Sequence, residues 1–148
     1  HRDLHSFPTR RSSDLSAKHI DIFGIPDARI QYEAIRRAGE ADAVICSFFI
    51  KPDITGNMET LSPEIVALMK KIVAVNNKVV AVSYYDPHII NQLSDIQSYL
   101  VSFSPSHLSI SSTLETIFGI RDSKGRLPIS ISNSFPLGHG LSMGVTRE

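Results

Sequence analysis

The chain has 148 residues, with 15 Lys and Arg against 15 Asp and Glu, a formal net charge of zero, and a single cysteine. The balanced charge argues against a nucleic-acid partner or a polybasic membrane surface, and one cysteine excludes a disulfide framework and a cysteine-based metal site. The longest uninterrupted apolar run has five residues, which is too short to span a membrane, whereas the length suffices for one domain with its own core.

The first fifteen residues, His1 to Leu15, resemble the uninterrupted translation of a common short-read sequencing adapter. They contain three clearly apolar residues and show no helical or strand period, so we expect an artefactual, disordered segment. Without it the chain carries 12 basic and 13 acidic residues, a net charge of −1, and on this interpretation the natural N-terminus is missing. His1-Arg2-Asp3-Leu4 matches the start of a kinase catalytic loop, but Pro8 stands where that loop has asparagine.

Strand and helix signals alternate from Ser16 onward. Lys18 to Ile25 predicts a strand, and a helix follows from about Ala28 to Ala41, with apolar residues near one face at a 3.6-residue period. Asp42 to Phe49 is a continuous apolar run, which is typical of a strand covered on both sides. Ile50 to Leu61 predicts a loop, because proline, glycine and asparagine interrupt it.

A second helix begins with a clear signal, since Ser62 can act as N-cap, Pro63 suits the first turn and Glu64 lies near the positive end of the helix dipole. Asn76-Asn77 ends this helix. Lys78 to Tyr85 is the strongest strand signal in the chain, rich in β-branched and aromatic residues.

After Asp86-Pro87 we expect a short irregular or helical piece, followed by a strand around Ser98 to Ser104. Ser106 is predicted to cap a helix that runs through Phe118 and stops at Gly119. A last strand is predicted from Arg126 to Asn133. This alternation predicts an α/β fold with a mostly parallel sheet and helices on both faces.

Several catalytic-looking patterns have ordinary explanations. Gly140-Leu-Ser142-Met-Gly144 fits the nucleophile-elbow pattern, but that elbow needs a following helix and downstream Asp and His, and the chain ends four residues later. Ile25-Pro26-Asp27 follows the first predicted strand in place of a glycine-rich phosphate loop, which disfavours a nucleotide site. The six histidines are scattered without ligand spacing.

For two single residues, a structural role is likewise favoured over a catalytic one. Asp86 follows a strand at the position where a receiver domain keeps its phosphoacceptor, but the first strand ends without the paired acids of such a site, and a turn residue before Pro87 explains it adequately. Cys46 lies in the middle of an apolar strand, so we predict a buried, unreactive thiol.

Four ordered motifs in the second half resemble the C-terminal domain of the family 3 glycoside hydrolases. They comprise the strand and turn of Lys78–Pro87, the strand of Ser98–Ser106, Phe118-Gly119 followed by Lys124-Gly-Arg-Leu-Pro-Ile-Ser-Ile131, and the closure Phe135-Pro-Leu-Gly-His-Gly-Leu141. The resemblance implies a three-layer, flavodoxin-like α/β sandwich over residues 16–141, the fragment of a two-domain hydrolase whose other domain is a (β/α)₈ barrel, with 142–148 as a tail.

The catalytic chemistry implied by the resemblance lies largely outside this chain. Retaining glycosidases need two carboxyl groups, and in this family the nucleophilic Asp belongs to the barrel, which is too large to be present here. In the β-glucosidase-like branch this domain supplies an acid/base Glu, from a loop that corresponds to Pro52–Pro63. That loop lacks the expected E-G-x-D-R string and offers only Asp53 and Glu59, so no catalytic, cofactor-binding or metal-binding residue is assigned.

This departure favours the β-N-acetylhexosaminidase-like branch, in which the acid/base is a barrel histidine. The resemblance therefore implies an accessory domain that is inactive alone, meets carbohydrate only together with the missing barrel, uses no cofactor, contacts no nucleic acid, and allows a homodimer in the intact enzyme. It favours the bacterial periplasm or exterior over the cytoplasm. The alternatives are a β-glucosidase-type domain that supplies a carboxylate, and a free-standing flavodoxin-like binding module.

Overall fold

The computed structural model describes residues 16–51 and 60–145. Within them lie three α-helices, three β-strands and one 3-10 helix. In chain order these are α1 (Ala28–Glu40), β1 (Val44–Phe48), α2 (Pro63–Val75), β2 (Val79–Ser83), the 3-10 helix (Pro87–Gln92), β3 (Ser98–Val101) and α3 (His107–Ile117). None of the helices in this part of the chain is long and apolar enough to cross a membrane.

The first helix confirms the helix predicted from about Ala28 to Ala41. Asp27 caps α1, because its Oδ1 accepts a hydrogen bond from the Ile30 N–H at 2.8 Å. Ala34 and Ala38 form the buried side of the helix. On the exposed side Glu33 accepts hydrogen bonds from two arginines of the same helix, which lower the pKa of its carboxyl group to about 2. The helix is thus amphipathic, with small residues facing the core.

The other two helices also begin where their capping residues predict. Ser62 Oγ accepts a hydrogen bond from the Ile65 N–H at 3.3 Å, and Pro63 is the first residue of α2. Ser106 Oγ accepts one from the Ser109 N–H at 3.2 Å. Gly119, predicted as the stop of the third helix, has a φ of 69°, a conformation that favours glycine at a helix C-terminus.

The three strands form one parallel sheet in the order β1-β2-β3. All five residues of β2 are buried, and their side chains alternate between the two faces. Val79 and Ala81 pack in the larger core cluster, which includes the buried residues of α1 and α2. Val80 and Val82 pack in a second cluster with Ile117 of α3. The predicted three-layer α/β sandwich with a parallel sheet is therefore confirmed.

The predicted strand from Lys18 to Ile25 is wrong. Ile20 and Ile22 do pack against the larger core cluster, but the segment forms no ladder with any described strand. A strand requires a partner for its backbone groups. Ile20 and Ile22 are half-buried, whereas Phe23 and Ile25 are exposed, so the apolar residues of the segment predicted burial only in part and hydrogen bonding incorrectly.

The predicted strand from Arg126 to Asn133 is also wrong, because its backbone groups bond within the C-terminal segment instead of to the sheet. The Leu127 N–H donates to the His139 carbonyl at 2.8 Å, and the Ile131 N–H donates to the Phe135 carbonyl at 2.9 Å. We call residues 122–145 the C-terminal arm; no residue of this fully described range is buried. Pro128, which lacks an N–H, also disfavours a central strand.

Candidate functional site

The carboxyl ends of parallel strands meet at one edge of a sheet, which is where ligands usually bind in open α/β folds. At this edge the chain leaves β2 through a buried turn. Ser83 is fully buried and its hydroxyl donates to the Asp86 carbonyl at 2.6 Å. This short bond holds the turn that positions the Asp86 side chain. The carboxyl edge of the sheet is therefore the candidate site.

Asp86 and His88 form a closely bonded pair at this edge. The Asp86 side chain is 1% exposed, and its Oδ1 accepts the His88 N–H at 2.8 Å and lies 2.9 Å from His88 Nδ1. In the tautomer in which Nδ1 donates to the carboxylate, Nε2 is the acceptor nitrogen of the ring. The His88 side chain is 35% exposed, so part of the imidazole is accessible to a molecule at the edge. The same carboxylate caps the 3-10 helix, which confirms the predicted turn role of Asp86.

Tyr99, on the neighbouring strand β3, contacts the turn that follows β2. Its hydroxyl donates to the Pro87 carbonyl at 3.1 Å. Burial, together with the nearby Asp86 charge, raises the pKa of Tyr99 to about 12, although a hydrogen bond with Ser83 opposes the shift. The phenol therefore stays protonated at neutral pH and acts as a fixed hydrogen-bond donor.

An aromatic pair lies at the same edge, at the ends of β1 and β2. The rings of Phe49 and Tyr84 stack with their centroids 4.6 Å apart and an interplanar angle of 8°. Tyr84 is buried, whereas Phe49 is 53% exposed. Burial raises the pKa of the Tyr84 hydroxyl, and its contacts with Thr113 and Ser47 partly offset the shift. The exposed Phe49 ring thus presents an apolar surface that is held in place by stacking on the buried Tyr84 ring.

The residues singled out in the sequence occupy different places. Asp53 and Glu59 lie outside the described residues. Ser142 is exposed, and its Oγ accepts a hydrogen bond from the Arg126 guanidinium at 3.0 Å. The next residue, Met143, bridges to Ser123 in an antiparallel arrangement. Ser142 therefore lies in the C-terminal arm and not on a strand-to-helix elbow.

Cys46 is half-buried, not fully buried as predicted, and packs against the larger core cluster from β1; the burial it does have raises the pKa of its thiol to about 12, from an ordinary value of 9.0. We expect the native protein to react with iodoacetamide at pH 8 roughly a thousandfold more slowly than the unfolded protein, because the thiolate is the reactive form. Mass spectrometry over time measures the rates, with the chain in denaturant as the reference. Similar rates in the two states would contradict the packing of the thiol against the core cluster.

The two glycine motifs of the C-terminal arm contact each other. Leu127 and Gly138 are joined by a hydrogen bond from the Gly138 N–H to the Leu127 carbonyl at 2.8 Å, and Gly138 has a φ of 81°. A Cβ on Gly140 would overlap the carbonyl oxygen of Gly125. Glycine is required at 140 for this close approach and at 138 for the positive φ.

Replacing Gly140 by alanine is expected to weaken the arm by about 1–3 kcal/mol, because the backbone of Gly125 must move to admit the methyl group. Amide exchange at Leu127, Gly138 and Met143 measures the loss. Gly125→Ala is the matched control, since a Cβ there meets no atom within 4 Å. Equal protection in the two variants would refute the requirement for glycine at 140.

The Asp86–His88 and Phe49–Tyr84 pairs were not predicted as sites from the sequence, although the two strands that precede them were. The string Asp86-Pro87-His88 was a usable signal, because an Asp before a proline turn can accept the N–H two residues on. Among the described residues no group of three or more His, Cys, Asp or Glu side chains is placed to hold a metal ion. Comparisons with protein-family models, curated proteins and solved structures gave no match to this chain.

Proposed function

We propose that residues 16–141 form the C-terminal α/β domain of a family 3 glycoside hydrolase of the β-N-acetylhexosaminidase-like branch. The observation that carries the proposal is the contact between Gly125 and Gly140. These glycines belong to the two motifs on which the resemblance chiefly depends, and their close approach gives the spacing of both motifs a physical reason. The three-layer sandwich with a parallel sheet agrees with the domain type.

In this proposal the domain is a supporting half of the enzyme. Its carboxyl edge carries the exposed Phe49 ring and the half-exposed imidazole of His88, which suits a wall beside a sugar site. The glycosidic bond itself is cleaved by groups of the barrel, so the chain alone does not hydrolyse glycosides. The resemblance favours the bacterial periplasm or exterior over the cytoplasm for the parent enzyme.

The first test is the natural gene sequence upstream of the Ser16 codon, read from an independent assembly. We expect an open reading frame that encodes a (β/α)₈ barrel with a nucleophilic Asp and a His-containing loop for the acid/base. A different upstream domain, or none, would refute the hydrolase assignment.

The second test uses purified residues 16–148 and separates the alternatives. We expect no release of nitrophenol from the aryl β-N-acetylglucosaminide or the aryl β-glucoside, and no flavin absorbance. Joined to the barrel, the protein should cleave the first substrate in preference to the second. Preference for the glucoside would instead favour the β-glucosidase-type domain, and bound flavin would favour a free-standing binding module.

A further inference from the structure

The chain enters α2 at a point that is bonded to the 3-10 helix. The Leu61 N–H donates to Gln92 Oε1 at 2.8 Å, and this bond joins residues 31 apart in the chain. Leu61 is 6% exposed and directly precedes Ser62, the N-cap of α2. Gln92 is the last residue of the 3-10 helix. Because a buried backbone N–H needs an acceptor, the Gln92 side chain fixes the chain where α2 begins.

The opposite end of the same 3-10 helix carries the Asp86–His88 pair. The Asp86 carboxylate caps this end through the His88 N–H, and the Tyr99 hydroxyl donates to the Pro87 carbonyl at 3.1 Å. A 3-10 helix rises about 2 Å per residue, so six residues extend about 12 Å. The carboxylate of Asp86 and the amide of Gln92 are thus separated by the length of the helix, and each fixes one end of it.

Apolar packing connects the two ends of the helix. Ile89, inside the helix, is fully buried, and Leu93, which follows it, is 4% exposed. Both belong to the larger core cluster, and so does Leu61. In a close-packed core a side chain cannot shift without displacing its neighbours or opening a void between them. The 3-10 helix is therefore held at both ends and along its buried side, which favours its movement as one unit.

We propose that the 3-10 helix couples the Asp86–His88 pair to the start of α2, with Gln92 as the positioning residue at the far end. Loosening the pair frees the Leu61 N–H, and loosening the Gln92 bond frees the His88 N–H, because a coupling between two sites acts in both directions. A molecule that holds the His88 imidazole in place therefore also stabilises the start of α2. The inference uses contacts within the chain and does not depend on the proposed hydrolase function.

The first test measures amide hydrogen exchange at Leu61 in the full chain when the pair is removed. Ala81, fully buried at the centre of β2, serves as the reference for global unfolding. Asp86→Ala is expected to speed exchange at Leu61, relative to Ala81, by about fivefold or more. Asp27→Ala is the matched control, because it removes the same side chain from the cap of α1, and it should leave the ratio of the two rates unchanged.

The second test runs in the opposite direction, from Gln92 to the pair. Gln92→Leu keeps a side chain of similar size but removes the acceptor of the Leu61 N–H. We expect faster exchange at Leu61 and also at His88, both relative to Ala81. Gln92→Glu retains an acceptor oxygen and should restore both rates, which a simple loss of packing would not allow. Circular dichroism of each variant verifies that the fold is intact.

Either of two results would overturn the coupling. If Asp86→Ala left the ratio of the Leu61 and Ala81 rates as Asp27→Ala leaves it, the two ends of the helix would be independent. If Gln92→Leu changed exchange at Leu61 but not at His88, Gln92 would act only on its own hydrogen-bond partner. Neither result bears on the hydrolase assignment, since that is decided by the upstream sequence and the activity of the joined domains.

Discussion

Replacing Leu68 by alanine is expected to lower the free energy of unfolding by about 2–5 kcal/mol. Leu68 is 2% exposed and belongs to the larger core cluster, between α2 and the sheet. Its truncation removes apolar surface from the core and leaves a cavity that the close-packed neighbours fill only in part. Urea denaturation followed by circular dichroism measures the change.

Leu108→Ala is the matched control, because the same atoms are removed from a helical leucine that is 80% exposed. We expect its free energy of unfolding to stay within about 0.5 kcal/mol of the unaltered protein. Equal losses for the two variants would mean that Leu68 is not in the core, or that Leu108 is covered in solution. The pair thus tests the packing of α2 directly.

Replacing Asp86 by alanine is expected to lower the free energy of unfolding by about 2–3 kcal/mol. The carboxylate accepts two hydrogen bonds from His88, one from the backbone N–H and one through Nδ1, and bonds to a charged partner contribute more than neutral ones. Without the carboxylate the partly buried N–H at the start of the 3-10 helix loses its acceptor. Thermal or urea unfolding measures the loss.

Two variants show whether burial accounts for the size of this effect. Asp27→Ala removes the same side chain from the exposed N-cap of α1, and we expect a loss near 1 kcal/mol. Asp86→Asn keeps an acceptor for the His88 N–H and should fall between the other two. If Asp86→Ala lowered the free energy of unfolding no more than Asp27→Ala, burial of the Asp86–His88 pair would add nothing to stability.

The helices could be predicted closely because their signals are local. Ser62-Pro63 and Ser106 determine where α2 and α3 begin through hydrogen bonds that span only three residues. A strand depends instead on a partner that is distant in sequence. Lys18–Ile25 and Arg126–Asn133 have strand-like composition, but neither finds such a partner in the described chain.

The candidate site was less predictable than the fold for a related reason. The motifs indicated which glycines matter, but only the folded arm shows that Gly140 lies against Gly125. The stacking of Phe49 on Tyr84 likewise requires the pairing of β1 with β2. Asp53 and Glu59, the two carboxylates of the loop after β1, lie outside the described residues.

No residue between 122 and 145, a fully described range, is buried, so the C-terminal arm is expected to unfold more easily than the sandwich. Cooperative unfolding units are held together by buried apolar contacts, and segments held mainly by solvent-exposed hydrogen bonds open at much lower free energy. The C-terminal arm should therefore detach and reattach while the sandwich stays folded. Among the described residues, limited proteolysis would then cut the arm before it cuts the sandwich, and the sandwich would keep both core clusters.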